Sequence, residues 1–162
     1  MVLSFKTQIN GKPTYFVEKI HSGLLQNGII DFEGISFEDQ NFNLNKMAES
    51  QPKLHTIRKD EKNRWKKGRI IDFFINSRQK NMFRFAPRIP VVSIQKIKIK
   101  HVKNDPDYLD HTSVDVDDKR LLQKDALLHL AQNDGFECFA DFAAYFSEDF
   151  EGIIIHWTDL KY

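Results

Sequence analysis

Apolar and polar residues alternate loosely over residues 2–9 (VLSFKTQI), the period of a half-buried strand. Gly11-Lys12-Pro13-Thr14 reads as a turn. Beyond it Phe16, Val17, Ile20, Leu24 and Leu25 recur at helical spacing, predicting a helix that ends near Gly23 or Gly28. Residues 28–51 show no period. They mix Asn, Asp, Glu and Gly with Phe32, Phe37 and Phe42, which predicts a long loop or lid pinned by those rings, inserted into a single domain spanning residues 1–162. Residues 54–58 form a short strand, and 60–66 a charged helix or turn ended by Gly68. The run IIDFFIN at 70–76, a turn at 77–81 and a return at 82–85 predict a β-hairpin.

After Pro87 and Pro90, residues 91–102 set Val92, Ile94, Ile97 and Ile99 among Lys96, Lys98 and Lys100. One face is expected in the core and the other lined with lysines. Asn104-Asp105-Pro106-Asp107 marks a turn before a strand at 113–116. Leu122, Ala126, Leu127, Leu130 and Ala131 give an amphipathic helix over 121–132, stopped by Asn133-Asp134-Gly135. A second helix over 138–146 carries Phe139, Phe142, Ala143 and Phe146 on one side. The closing strand at 152–157 (GIIIHW) is apolar enough for burial on both faces. This order describes an α+β domain, a small β-barrel with flanking helices.

Fourteen Phe imply an aromatic-rich core. The single Cys138 excludes an intrachain disulfide and lies in an apolar run, as a buried thiol would. The opening residues lack a basic segment followed by an unbroken apolar one, and no stretch approaches the ~20 apolar residues of a membrane span. A cytoplasmic protein without a membrane partner is the expectation.

The formal net charge of +1 conceals a segregation of charge. Residues 1–52 carry −2, residues 53–103 carry +13 and residues 104–162 carry −10. Such a split predicts a dipolar surface whose basic face is open to phosphates. The competing expectation is that the acidic third folds back onto the basic third. Exposed ion pairs contribute only ~0–1 kcal/mol each, whereas phosphate contacts gain from counterion release along a backbone.

Four features, in this order, carry a family resemblance: Lys53-x-x-Thr56-x-Arg58; Trp65-x-x-Gly68 before an apolar strand; Leu130-Ala131-x-x-Asp134-Gly135-Phe136 followed by Phe139 and Asp141-Phe142; and Ile154-x-His156-Trp157. The chain resembles an ASCH domain, a branch of the PUA-like superfamily of small β-barrels, over most of its length except residues 28–51. The resemblance implies a basic cleft and association with RNA or with a nucleoside or nucleotide. Some relatives are similar to an amidohydrolase that removes acyl groups from the exocyclic amine of acylated cytidine. There a lysine, a threonine three residues later and a distant glutamate do the work. Lys53 and Thr56 match the first two positions, and Asp134, one methylene shorter than Glu, falls at the third.

On the residues alone, Lys53 and Thr56 point to opposite faces of an extended strand and converge only if the chain bends after Pro52. In that case a desolvated Lys53 takes the Thr56 hydroxyl proton while Asp134 orients the amine. The alternative is a surface lysine, a strand threonine and a helix-capping aspartate. Arg58, Lys59, Arg64, Lys67, Arg84 and Arg88 are candidate phosphate contacts, with Lys96 and Lys98 in a row that could equally protect a sheet edge. Trp65 either stacks on a base or anchors its turn in the core. No Gly-rich phosphate loop is present, and the six His show no metal-ligand spacing, so neither metal nor cofactor is expected. Three functions follow: RNA or nucleotide binding, acyl-nucleoside hydrolysis, or a protein-interaction module using the acidic third.

Overall fold

The computed structural model describes residues 1–35, 42–101 and 112–162. Phe37, the turn expected at residues 104–107 and His111 lie outside the described residues. In chain order the elements are β1 (Val2–Phe5), β2 (Gln8–Ile9), β3 (Lys12–Pro13), α1 (Phe16–Gln26), a 3-10 turn (Phe32–Gly34), α2 (Leu44–Glu49), β4 (His55–Arg58), β5 (Ile70–Ile75), β6 (Phe83–Arg84), β7 (Ile89–Pro90), β8 (Ser93–His101), β9 (Thr112–Val116), β10 (Lys119–Arg120), α3 (Lys124–Asn133), α4 (Phe139–Tyr145) and β11 (Phe150–His156).

An antiparallel five-stranded sheet, ordered β10-β9-β8-β11-β4, forms the centre. Its two faces cover two cores, because successive side chains on a strand point opposite ways. Ile154 of β11, Ile97 and Ile99 of β8 and Ile57 of β4 pack with Leu130 of α3 and Phe142 of α4. Ile155 turns to the other side, where Phe5, Ile20, Phe73, Phe85 and Trp157 gather. Phe side chains supply much of this packing, Phe5 meeting Phe73, Phe85 and Trp157 at ring separations of 5.8–6.3 Å.

A second sheet runs β1-β5-β6 with β7 also on β5, and β1 lies parallel to β5. The chain is therefore α+β, but among the described residues no sheet closes into the expected barrel. Where β4 approaches β1 the link is a side chain: the Arg58 guanidinium donates to the Ser4 carbonyl at 3.0 Å. No helix among the described residues is long and apolar enough to cross a membrane.

Two sequence expectations change. The strand read over residues 2–9 stops at Phe5, and β2 pairs with β3 through Asn10 (φ 51°) and Gly11 (φ 75°). Two successive left-handed residues are what a tight two-residue hairpin needs. The segment read as irregular at 28–51 contains α2. The Asn43 carboxamide accepts from Lys46 N–H at 3.1 Å, capping the helix, and buried Met47 anchors it.

Candidate functional site

Lys53 lies just before β4, where the backbone is clamped from both sides. Its N–H donates to the Lys19 carbonyl of α1, and Leu54 N–H donates to the Asn133 carbonyl at the end of α3, both at 2.9 Å. The close approach of α1 depends on Gly23, since a Cβ there would lie 2.7 Å from the Lys53 carbonyl oxygen. Lys53 precedes the regular strand, so alternation does not bind its side chain, and it bends inward beneath Gly135. A Cβ on Gly135 would stand 3.1 Å from Lys53 Cδ and 2.7 Å from Phe16 Cε1.

The amine ends on Asp134. Nζ donates to Oδ1 at 2.6 Å and also to the Asp134 backbone carbonyl, at the C-terminal end of α3, where the helix dipole favours a cation. Oδ1 accepts from Ile57 N–H at 3.3 Å as well. The Phe16 ring covers the ammonium, its centroid 4.8 Å from Nζ. Lys53 is 1% exposed and the Asp134 side chain 6%. Burial lowers the Lys53 amine to about 8, the Asp134 carboxylate limiting the fall; burial likewise raises the Asp134 carboxyl against the pull of Lys53. Lys53 is thus not a surface lysine. Asp134 is the last residue of α3's cap rather than a cap of the next helix.

Thr56, the third expected member, is buried on β4 opposite Ile155 and shares its strand face with Arg58. Among the described residues its hydroxyl has no hydrogen bond to Lys53 or Asp134; the contact nearest in sequence is the Ile57 amide. The structure therefore brings two of the three residues together.

Sequence reading missed a polar chain behind Asp134. Asn133 Nδ2 donates to the Tyr162 hydroxyl at 2.9 Å, and that hydroxyl sits 2.8 Å from His55 Nε2. The hydroxyl, with one hydrogen and two lone pairs, can donate to His55 Nε2 or accept from it while it accepts from Asn133, whereas His55 Nδ1 is buried without a hydrogen-bond partner among the described residues. Nδ1 lies 3.8 Å from Asp134 Oδ1. His156 packs against His55 with ring centroids 5.3 Å apart. Burial holds His55 well below the usual histidine range and His156 at about 4, and it raises Tyr162. The signal for this chain was the His55/His156 cross-strand register, invisible until β4 is paired with β11.

The basic residues separate into two groups. Lys98 Nζ meets Asp118 Oδ1 at 2.9 Å and stands in register between Asp115 and Glu151, which raises its pKa. The Lys96 amide donates to Asp117 Oδ1 at 2.8 Å, and Lys100 lies near enough to lower the Asp115 pKa alongside Arg120 and Lys98. Because β8 lies between β9 and β11, its lysines do not guard an edge; Lys98 is paired with Asp118, whereas the Lys96 and Lys100 side chains are exposed. Arg88 is likewise matched, with Asp72 at 2.7 Å. Arg84 is exposed on β6, apart from the others.

The second group stays together. Arg58, Lys59, Arg64 and Arg78 line one groove of about 790 Å³ with Met1, Ser4 and Met82. Lys67 lines an adjoining depression that shares Met1. Trp65 borders the groove but is 8% exposed and packed with the Phe5 core, so it anchors the turn and does not offer its face for stacking. Asp60 fixes that turn by accepting from the Arg64 and Trp65 amides at 3.0 and 2.8 Å. Cys138, expected in the core, is only half-buried.

Among the described residues, no group of three or more His, Cys, Asp or Glu is placed to share a metal ion. Compared with protein-family models, with curated proteins and with solved structures, the chain matches none.

Proposed function

We propose that the chain is a cytoplasmic, ASCH-type domain of the PUA-like superfamily that binds RNA or a nucleotide through the groove of Arg58, Lys59, Arg64 and Arg78. The observation that carries this reading is the convergence of four cations, Arg58, Lys59 and Arg64 from the end of β4 and the turn after it and Arg78 from the turn after β5, on one concavity of about 790 Å³, while Lys98 and Arg88 are matched by local carboxylates. Guanidinium groups suit phosphate because their planar fork donates to two oxygens at once. Arg58 also joins the groove to the buried pair: its guanidinium carbon lies 5.4 Å from the Phe5 ring, whose centroid is 5.9 Å from Lys53 Nζ. The test is binding of a short single-stranded RNA by fluorescence anisotropy across a salt series. Affinity falls steeply with salt on this reading, and an absent or salt-insensitive signal removes it.

A second reading has its own observation. A buried amine lowered by burial to about 8 and held by a carboxylate is suited to proton transfer near neutral pH. It supports hydrolysis of an acylated cytidine-type nucleoside, with Lys53 as base, Thr56 as nucleophile and Asp134 orienting the amine. Cytidine release from an acylcytidine that disappears in Lys53→Ala supports it; turnover that survives the change rejects it.

A further inference from the structure

The basic groove does not end at Arg78. Ser4 and Ser77 belong both to it and to a depression of about 260 Å³, which in turn shares Lys6, Gln8 and Asn76 with a cavity of about 700 Å³. The three form a continuous trough along β1 and the turn after β5.

The character of the lining changes along it. The far cavity is walled by the rings of Tyr15, Phe16 and Phe83 and carries the carboxamides of Gln8, Asn76 and Asn81. Its volume is in the range of small-molecule sites, roughly 300–1,000 Å³. Carboxamides present a donor and an acceptor side by side, the pattern that pairs with the edge of a base, while aromatic faces hold its plane. Phosphate is served poorly there and well at the other end.

Three of the seven non-glycine left-handed residues among the described residues lie along the trough. Tyr15 (φ 52°), Asn76 (φ 52°) and Arg78 (φ 68°) all adopt the left-handed conformation, which is unusual for a bulky residue such as Tyr15. Tyr15 takes it at the start of α1, and both Tyr15 and Phe16 line the cavity. Strain of this kind persists where the surroundings enforce it and clusters at ligand sites. Phe16 separates the cavity from Lys53, whose ammonium lies 4.8 Å from its ring centroid.

We infer that the aromatic and carboxamide cavity is a base-binding subsite, and that the ligand is a single-stranded oligonucleotide whose phosphates run over Lys6 and Ser77 to Arg58, Arg64 and Arg78. This deepens the binding function proposed above and rests on it. A free nucleoside fills only one end of the trough and binds far more weakly than the strand.

The experiment compares tetracytidylate, tetrauridylate and tetraadenylate on the wild type, on Gln8→Ala/Asn81→Ala and on Arg64→Ala/Arg78→Ala. Both Gln8 and Asn81 are exposed, so the first variant leaves the core intact. The wild type separates its preferred base from the others by about tenfold. Gln8→Ala/Asn81→Ala erases that preference while keeping the salt dependence, and Arg64→Ala/Arg78→Ala weakens all three alike while keeping the preference. Wild-type binding without base preference, or preference unchanged in Gln8→Ala/Asn81→Ala, overturns the subsite and leaves the basic groove standing. No binding of any oligonucleotide overturns both.

Discussion

Lys53 Nζ and Asp134 Oδ1 meet at 2.6 Å although 81 positions separate them in sequence. The chain places them by closing α1 and the end of α3 on the residues before β4, so the pair is a product of the whole fold. Removing two charges from water costs several kcal/mol per ion, and a buried pair is often no more stable than apolar residues of the same volume. What the pair does provide is a desolvated amine in a fixed position.

The Lys53 amine titrates near pH 8, against about 10.4 in an unfolded chain. Between those values the unfolded state binds the additional proton, so the Lys53 contribution to stability improves as pH rises through that window and is least favourable below it. Nuclear magnetic resonance of the Lys53 side chain reads the midpoint directly. Asp134→Asn removes the carboxylate that holds the amine, drives the midpoint below 8 and destabilises the fold by about 3–5 kcal/mol at neutral pH. A midpoint at or above 10 contradicts the burial.

Acid acts through the two histidines behind Asp134. Both are lowered in the folded state, His156 to about 4, so the unfolded chain takes up protons first. Their contribution is complete above the unfolded value of about 6.5 and is lost as pH falls toward 4, on the order of 3 kcal/mol for His156 alone. Urea midpoints measured from pH 7 to pH 4 should fall, and the fall should shrink in His156→Phe. An unchanged slope in that variant would place the acid sensitivity elsewhere.

Gly135 and Gly23 set the walls around Lys53. Alanine at 135 puts a Cβ 2.7 Å from Phe16 at φ 95°, and alanine at 23 puts one 2.7 Å from the Lys53 carbonyl oxygen. Overpacking of this kind costs about 1–3 kcal/mol, with a further penalty at 135 for the left-handed backbone. Chemical denaturation should rank Gly135→Ala as more destabilising than Gly28→Ala, because alanine at 28 meets nothing within 4 Å and carries only the left-handed backbone penalty at φ 63°, of about 1–2 kcal/mol.

Much of the fold was legible. The period-two run at β8, the apolar closing strand and the two late helices follow from side-chain alternation, which depends only on local sequence. The turn was read at residues 11–14, one residue late, and β2 was merged with β1 into one strand, so the hairpin that pairs β2 with β3 across Asn10-Gly11 was missed. Asn43 signalled α2 as a cap, yet six residues are too few to show a helical period. At the site, Lys53 and Asp134 were found from the ordered resemblance, and Trp65 was reachable as a core anchor from the strand it precedes. The pairing of Lys98 was not. It depends on which strands flank β8, and β9 and β11 bring Asp115, Asp118 and Glu151 from remote parts of the sequence. The Asn133–Tyr162–His55 chain was hidden for the same reason.

The two groups of basic residues make opposite predictions. Lys96→Ala, Lys98→Ala and Lys100→Ala together leave RNA affinity and its salt dependence unchanged, since local carboxylates already occupy that face. Arg64→Ala or Arg78→Ala lowers affinity for every sequence and reduces the salt slope by about 1. Anisotropy titrations at two or more salt concentrations distinguish them.

The most direct measurement is an amide and side-chain chemical-shift map of the protein titrated with a single-stranded RNA. The account predicts saturable shifts along the trough, at Ser4, Arg58, Arg64, Ser77 and Arg78, with little change on β8. Shifts centred on Lys96, Lys98 and Lys100, or none at saturating RNA, would contradict it.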